Sequence, residues 1–183
     1  MIGADKGDKS ILGCVLAGGA SRRFGSDKAL AVLDGATLLA RSVAELAPYC
    51  GTVVMAGRSD GPVPGVADWP AAGLGPLGGL AGALRHAQEH GFTSVLTCGV
   101  DSLDLPADLV GILDPAPSCL AAQPVVGFWP VAALDILEEI LTGNERRSML
   151  HFAQRAGACL VEIARPPANI NTPEDLARLQ SGN

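Results

Sequence analysis

The sequence predicts an α/β domain built on a mostly parallel sheet with helices on both faces. Three observations carry that expectation. Short near-continuous apolar runs, such as "ILGCVLA" from Ile11 to Ala17, read as strands buried on both faces. Segments with apolar residues at helical spacing alternate with these runs, as successive strand–helix units require. The runs also stop at glycine or aspartate, which places polar punctuation at strand ends.

The elements follow in order. "MIGADKGDKS" is polar and reads as a flexible tail over residues 1–10, with one domain over residues 11–183. After the first strand, "ATLLARSVAELAPYC" sets Leu38, Leu39, Val43, Leu46 and Ala47 at helical spacing. "GTVVMAG" (Gly51 to Gly57) is a second buried strand, followed by a loop dense in Gly and Pro. A helix from about Leu77 to His90 leads into the strand "TSVLTCGV", which ends at Asp101. "PADLVGIL" reads as a helix starting at Pro106 with Asp104 as its cap. The short apolar runs "SCLAAQPVV" and "FWPVAAL" come next, then helices at "DILEEILTG" and around "RRSMLHFAQRAG". "ACLVEI" is the expected last strand. "TPEDLARLQ" is the last helix, with Thr172 as cap, Pro173 at the first position and Asp175 closing a capping box.

Composition narrows the function. The chain is 48% hydrophobic but only 4% aromatic, so Ala, Val and Leu must build the core. A net charge of -6 argues against nucleic acid as a partner, since a general binder presents a basic surface. Cys14, Cys50, Cys98, Cys119 and Cys159 are far apart with no C-x-x-C pair, which fits reduced thiols and not a disulfide frame or zinc site. The start lacks a secretory apolar region, and no run reaches the ~18 residues of a membrane helix. The expectation is a cytoplasmic protein without membrane contact.

Against this acidic background one basic segment stands out, "VLAGGASRRFGSDKAL" from Val15 to Leu30. Gly18 and Gly19 permit positive φ and close approach to the backbone. Successive N–H groups in such a turn form a concave anion site, to which Arg22, Arg23 and Lys28 add cationic side chains. The spacing matches neither G-x-G-x-x-G nor G-x-x-x-x-G-K-[ST], so a dinucleotide fold and a Walker loop are both disfavoured. At the same strand edge, Asp101 is costly unless paired or bound to metal, with a helix cap as the plain alternative. Asn169 and Asn171 flank one isoleucine, so in extended chain they face the same way. His86 and His90 share a helix face without a third ligand, which leaves no metal motif.

The segment "LAGGASRRFGSDKA" resembles the L-A-G-G-x-S-x-R-M-G-x-D-K signature of the nucleotidyltransferases that act on molybdopterin. It is most similar to their molybdenum cofactor guanylyltransferases. The resemblance continues in "GPLGGLAGAL", "CGVDSLDLPADL", "NERRSMLHFAQ" and "NINTPEDLARL", and so spans Ile11 to Gln180. Phe24 stands for the usual methionine, and Leu103 stands where proline is common. The resemblance implies a Rossmann-like three-layer nucleotidyltransferase fold. It implies transfer of GMP from GTP to the terminal phosphate of molybdopterin, with release of pyrophosphate. Asp101 would hold Mg²⁺, while Lys28 and Arg23 would act on the phosphates. Leu16, Ala17, Gly18, Gly19, Lys28, Asp68 and Asp101 would form the nucleotide site. Asn169, Asn171, Arg146 and Arg147 would meet the pterin substrate, and molybdoenzymes or their chaperones are the implied protein partners. For Asp68 an ordinary turn residue, and for Arg146 and Arg147 a surface helix start, are the alternatives. A CTP-dependent sibling, a sugar-phosphate nucleotidyltransferase and a non-catalytic nucleotide binder are the competing functions.

Overall fold

In the central strand, β1 (Asp8–Leu16), every residue from Ile11 onward is buried, as the unbroken apolar run demands. The computed structural model describes residues 8–18, 24 and 27–181. Strand β1 begins at Asp8, ahead of the expected Ile11, so the polar residues Asp8 to Ser10 extend the strand into what reads as tail. Two short strands, β2 (Val32–Leu33) and β3 (Ala36–Thr37), then form a small antiparallel ribbon. Helix α1 (Leu38–Leu46) is capped by Thr37, whose hydroxyl accepts from Ala40 N at 3.1 Å. Strand β4 (Cys50–Ala56) and the two-residue β5 (Gly65–Val66) follow, then helix α2 (Pro76–Glu89) and strand β6 (Ser94–Gly99).

The remaining elements are β7 (Ser102–Leu103), α3 (Leu109–Leu113), β8 (Ser118–Leu120), β9 (Gly127–Pro130), α4 (Leu134–Thr142), α5 (Met149–Arg155), β10 (Cys159–Val161), β11 (Ala168–Asn169) and α6 (Pro173–Ser181). The main sheet runs in the order β10-β8-β9-β6-β1-β4-β5. Only β9 is antiparallel to its neighbours β6 and β8, and the other pairings are parallel.

Side chains alternate off β1 into two layers. Leu12, Cys14 and Leu16 pack with Leu77, Leu80 and Leu84 of α2, and the same cluster takes in Leu137 of α4 and Phe152 of α5. Ile11 and Val15 face Leu39 and Leu46 of α1, together with Leu109 and Leu113 of α3. Helices therefore cover both faces, and the expected three-layer α/β architecture is what the chain adopts. All five cysteines are free thiols; Cys159 is exposed, while burial pushes the Cys50 thiol up to about 12 and the Cys119 thiol up to about 11.

Two local expectations differ. Helix α3 starts at Leu109 and not at Pro106, and Asp104 does not cap it. Asp104 adopts φ 59°, and its own N–H donates to Glu45 of α1, so the chain is still turning there. The pair β7 and β11, which the sequence does not announce, sets Asn169 opposite Ser102. At the last helix the capping box forms as read: Thr172 Oγ1 accepts from Asp175 N at 3.2 Å, and Asp175 Oδ2 accepts from Thr172 N at 2.9 Å.

Candidate active site

The three central strands finish level with one another. Leu16 of β1 lies opposite both Ala56 of β4 and Gly99 of β6. Gly18, Arg58 and Asp101 each stand just past one of these ends, at the carboxyl edge where open α/β sheets bind ligands.

Lys28 heads a one-turn 3-10 helix (Lys28–Leu30), capped by Asp27 Oδ1, which accepts from Ala29 N at 3.1 Å. Its side chain is buried, with the residue 7% exposed, and Nζ lies 3.0 Å from Asp101 Oδ2. A buried ammonium without a partner costs several kcal/mol, so this pair accounts for both conformations. Lys28 is thus no solvated surface lysine, and Asp101 is no helix cap.

The segment after Asp101 is pinned by α1 and its extension. Glu45 accepts from Asp104 N at 3.1 Å and from Leu105 N at 2.8 Å, using both carboxylate oxygens. Tyr49 donates its hydroxyl to Pro106 O at 2.8 Å. Burial, and then the charge of Glu45, raise the Tyr49 pKa. On the other side, Ile170 N donates to Asp101 O at 3.2 Å. Ile170 is buried with Phe24, Leu33, Leu38 and Leu103, whereas Asn169 and Asn171 on either side are exposed. This small cluster joins the start of the site to its end, and Phe24 and Leu103, two positions that depart from the resemblance, are in it.

At the same sheet edge lies a cleft of about 790 Å³ whose walls include Gly18, Gly57, Arg58, Ala67, Asp68 and Gly75; Lys28 and Asp101 are not among its lining residues. The close approach here is backbone to backbone. A Cβ on Gly18 would come within 2.9 Å of Gly57 Cα, and Gly57 has φ 85°. Gly18 itself needs no positive φ; the left-handed residue is Gly57. The loop bearing Asp68 lies directly on α2: Trp69 N donates to Gly78 O at 3.1 Å, and a Cβ on Gly82 would run into Ala67 O. Asp68 Oδ1 is buried without a hydrogen-bond partner among the described residues. Such an oxygen is costly and is suited to a donor brought by a ligand.

The chain matches the model of the MobA-like NTP transferase domain over residues 13–157. A molybdenum cofactor guanylyltransferase of Acidiphilium cryptum is 34% identical, covering 98% of both chains. One from Rhodobacter capsulatus is also 34% identical, over 93% of this chain and 95% of that one. The chain belongs to the MobA-like NTP transferase family. It is a nucleotidyltransferase. In fold it is similar to molybdopterin-guanine dinucleotide biosynthesis protein A from Archaeoglobus fulgidus, with TM-score 0.72 and 23% identity over 93% of this chain and 97% of that one.

For this family member, the structure brings Lys28, Asp101, Gly18, Asp68 and the 169–171 segment to one edge. Leu16 has its side chain in the core, where it shares a small pocket with Gly18, Gly57 and Asp68, and Ala17 N donates to Ala56 O at 2.9 Å. Arg146 and Arg147 precede α5, and Arg147 Nη2 donates to Leu141 O at 3.0 Å near the end of α4; like Lys28, Asp101, Asn169 and Asn171, they are not among the residues lining the cleft. Gly19, Arg22 and Arg23 lie outside the described residues. His86 and His90 stack with ring centroids 4.0 Å apart, and no group of three His, Cys, Asp or Glu side chains able to hold a metal occurs among the described residues. Sequence reading missed Arg58, Asp27 and Glu45. For Arg58 the signal was available, because it follows a strand end just as Asp101 does.

Proposed function

We propose that this chain transfers GMP from GTP to the terminal phosphate of molybdopterin, forming the guanine dinucleotide cofactor and pyrophosphate. The observation that carries the reading is the pair of buried Lys28 and half-buried Asp101, 3.0 Å apart, at the same sheet edge as a cleft large enough for a nucleotide. The unpartnered Asp68 oxygen supports it from the far wall.

Asp101 is a lone carboxylate, which fits Mg²⁺ shared with substrate phosphates and water, and not an all-protein metal cage. Mg²⁺ held by Asp101 would supply positive charge to offset that of the substrate phosphates. The residues of the chain supply the rest. Asp101 would hold the metal, and Lys28, 3.0 Å from that carboxylate, is placed to hold the departing pyrophosphate as a point charge. Asp68 accepts hydrogen bonds from the nucleoside, and the exposed Asn169 and Asn171 hold the acceptor. The acceptor phosphate is already ionised, so in-line positioning replaces a strong general base. No helix among the described residues is long and apolar enough to cross a membrane. We place the reaction in the cytoplasm, which suits free thiols.

Calorimetry with GTP, CTP, ATP and UTP, with Mg²⁺ and then with a chelator, tests the reading. Selective, metal-dependent binding of GTP followed by pyrophosphate release on adding molybdopterin is the expected result. Preference for CTP would move the chain to cytidylyl transfer, and binding without pyrophosphate release would make it a sensor.

A further inference from the structure

We propose that Arg58 is a positioning residue that sets Lys28 through Asp27. The proposal rests on the guanylyltransferase reading only for its kinetic consequence. Arg58 lines the cleft, yet its side chain is only 12% exposed, because its guanidinium is used in three directions. Nε donates to Asp60 O at 2.9 Å and Nη2 to Asp60 Oδ2 at 3.2 Å, which anchors it to its own loop. Nη1 reaches across to Asp27 Oδ2 at 3.1 Å. The other oxygen of Asp27 caps the turn that Lys28 begins. One carboxylate thus links the wall of the cleft to the backbone that carries the ammonium.

The geometry favours an indirect role. Two carboxylates already face the guanidinium, so its charge is more than balanced. Burial works against that charge, but the bonds and charges of Asp60 and Asp27 outweigh it and hold the Arg58 pKa above its ordinary value. A lysine at this position would offer a point charge without the planar fork, and could not hold both loops. Lys28 needs such support. Its long side chain has one defined location only while the backbone at its base is fixed, and Asp27 is what fixes it on the N-terminal side.

Arg58→Lys, Asp27→Asn and the double variant test the proposal. Asparagine retains the cap but not the charge. Two readouts are needed: kcat and KM for GTP, and the rate at which an amine-acylating reagent modifies Lys28 in the ligand-free protein, mapped by mass spectrometry. Each single variant is expected to lower kcat about tenfold, a loss within what a misplacement of ~1 Å produces, with GTP affinity little changed. The double variant is expected to be no worse than either single one, since both break the same link. Lys28 acylation should rise severalfold in all three. A higher KM in Arg58→Lys with Asp27→Asn unaffected would overturn the proposal in favour of direct phosphate binding. Lower melting temperature with unchanged kcat and unchanged acylation would overturn it in favour of a purely structural tie. The acylation arm uses no nucleotide, so its result stands even if GTP is not the substrate.

Discussion

The two halves of the site are built on opposite principles. The Lys28 half is charged side chain, with Lys28 facing Asp101 and Glu45 gripping the loop behind it. The Asp68 half is main chain, with Gly18 lying against Gly57 and Gly82 of α2 against Ala67. The difference teaches where chemistry and shape reside. A charged group can be removed without changing the outline of the cleft. A glycine cannot be filled without moving two segments at once.

Substitution on each side tests that division. The largest effect is expected at Asp101→Ala, which should cost about 10³-fold in kcat, at the upper end for losing one preorganised electrostatic contact. Steady-state pyrophosphate release measures it, and full turnover in a folded variant would remove Asp101 from the mechanism. Lys28→Ala is expected to lose about 10²-fold, also in kcat. A raised KM with kcat intact would instead make Lys28 a binding residue and blur the contrast between the two sides.

Gly82→Ala belongs to the other side. Its Cβ would meet Ala67 O, so α2 or the Asp68 loop must shift, at about 1–3 kcal/mol for overpacking. Melting temperature should fall and the Kd for GTP should rise, while kcat at saturation holds. A variant that instead lost kcat with affinity unchanged would show that shape and chemistry are not separable here. The smallest effect concerns pH. The N–H groups of Asn171 and Thr172 hold the Asp175 carboxyl below its ordinary 3.8. Its contribution is therefore present above 3.8 and is lost as pH falls through the lowered value. Asp175→Asn should make thermal melts less dependent on acid in that window, and identical acid profiles would leave the carboxylate without a role at the start of α6.

How much of this was legible in the sequence follows from how local each cause is. The strands β1, β4 and β6 announced themselves because burial on both faces demands unbroken apolar runs. Lys28 and Asp101 could be singled out because each is a charge at an apolar strand edge or in a glycine-rich turn. Glu45 could not, since its value comes from two N–H groups far along the chain that meet it only after folding. The same holds for the link from Arg58 to Asp27, although the place of Arg58 just past a strand end was readable, and for the ribbon of β7 and β11, whose two-residue strands are too short to leave a pattern. Pro106 misled because a favourable first helical residue was read without knowing that Tyr49 already holds its carbonyl. The glycine of the opening motif was read both for positive φ and for close approach to the backbone, and at Gly18 the second reason holds and the first does not.

That contact between Gly18 and Gly57 ties together two positions from different strand ends. In lineages descending from this sequence neither can drift alone: a methyl group at one is incompatible with the present place of the other. The pair evolves as one character, so a descendant that fills either position must also have re-spaced the ends of β1 and β4, and with them the mouth of the cleft.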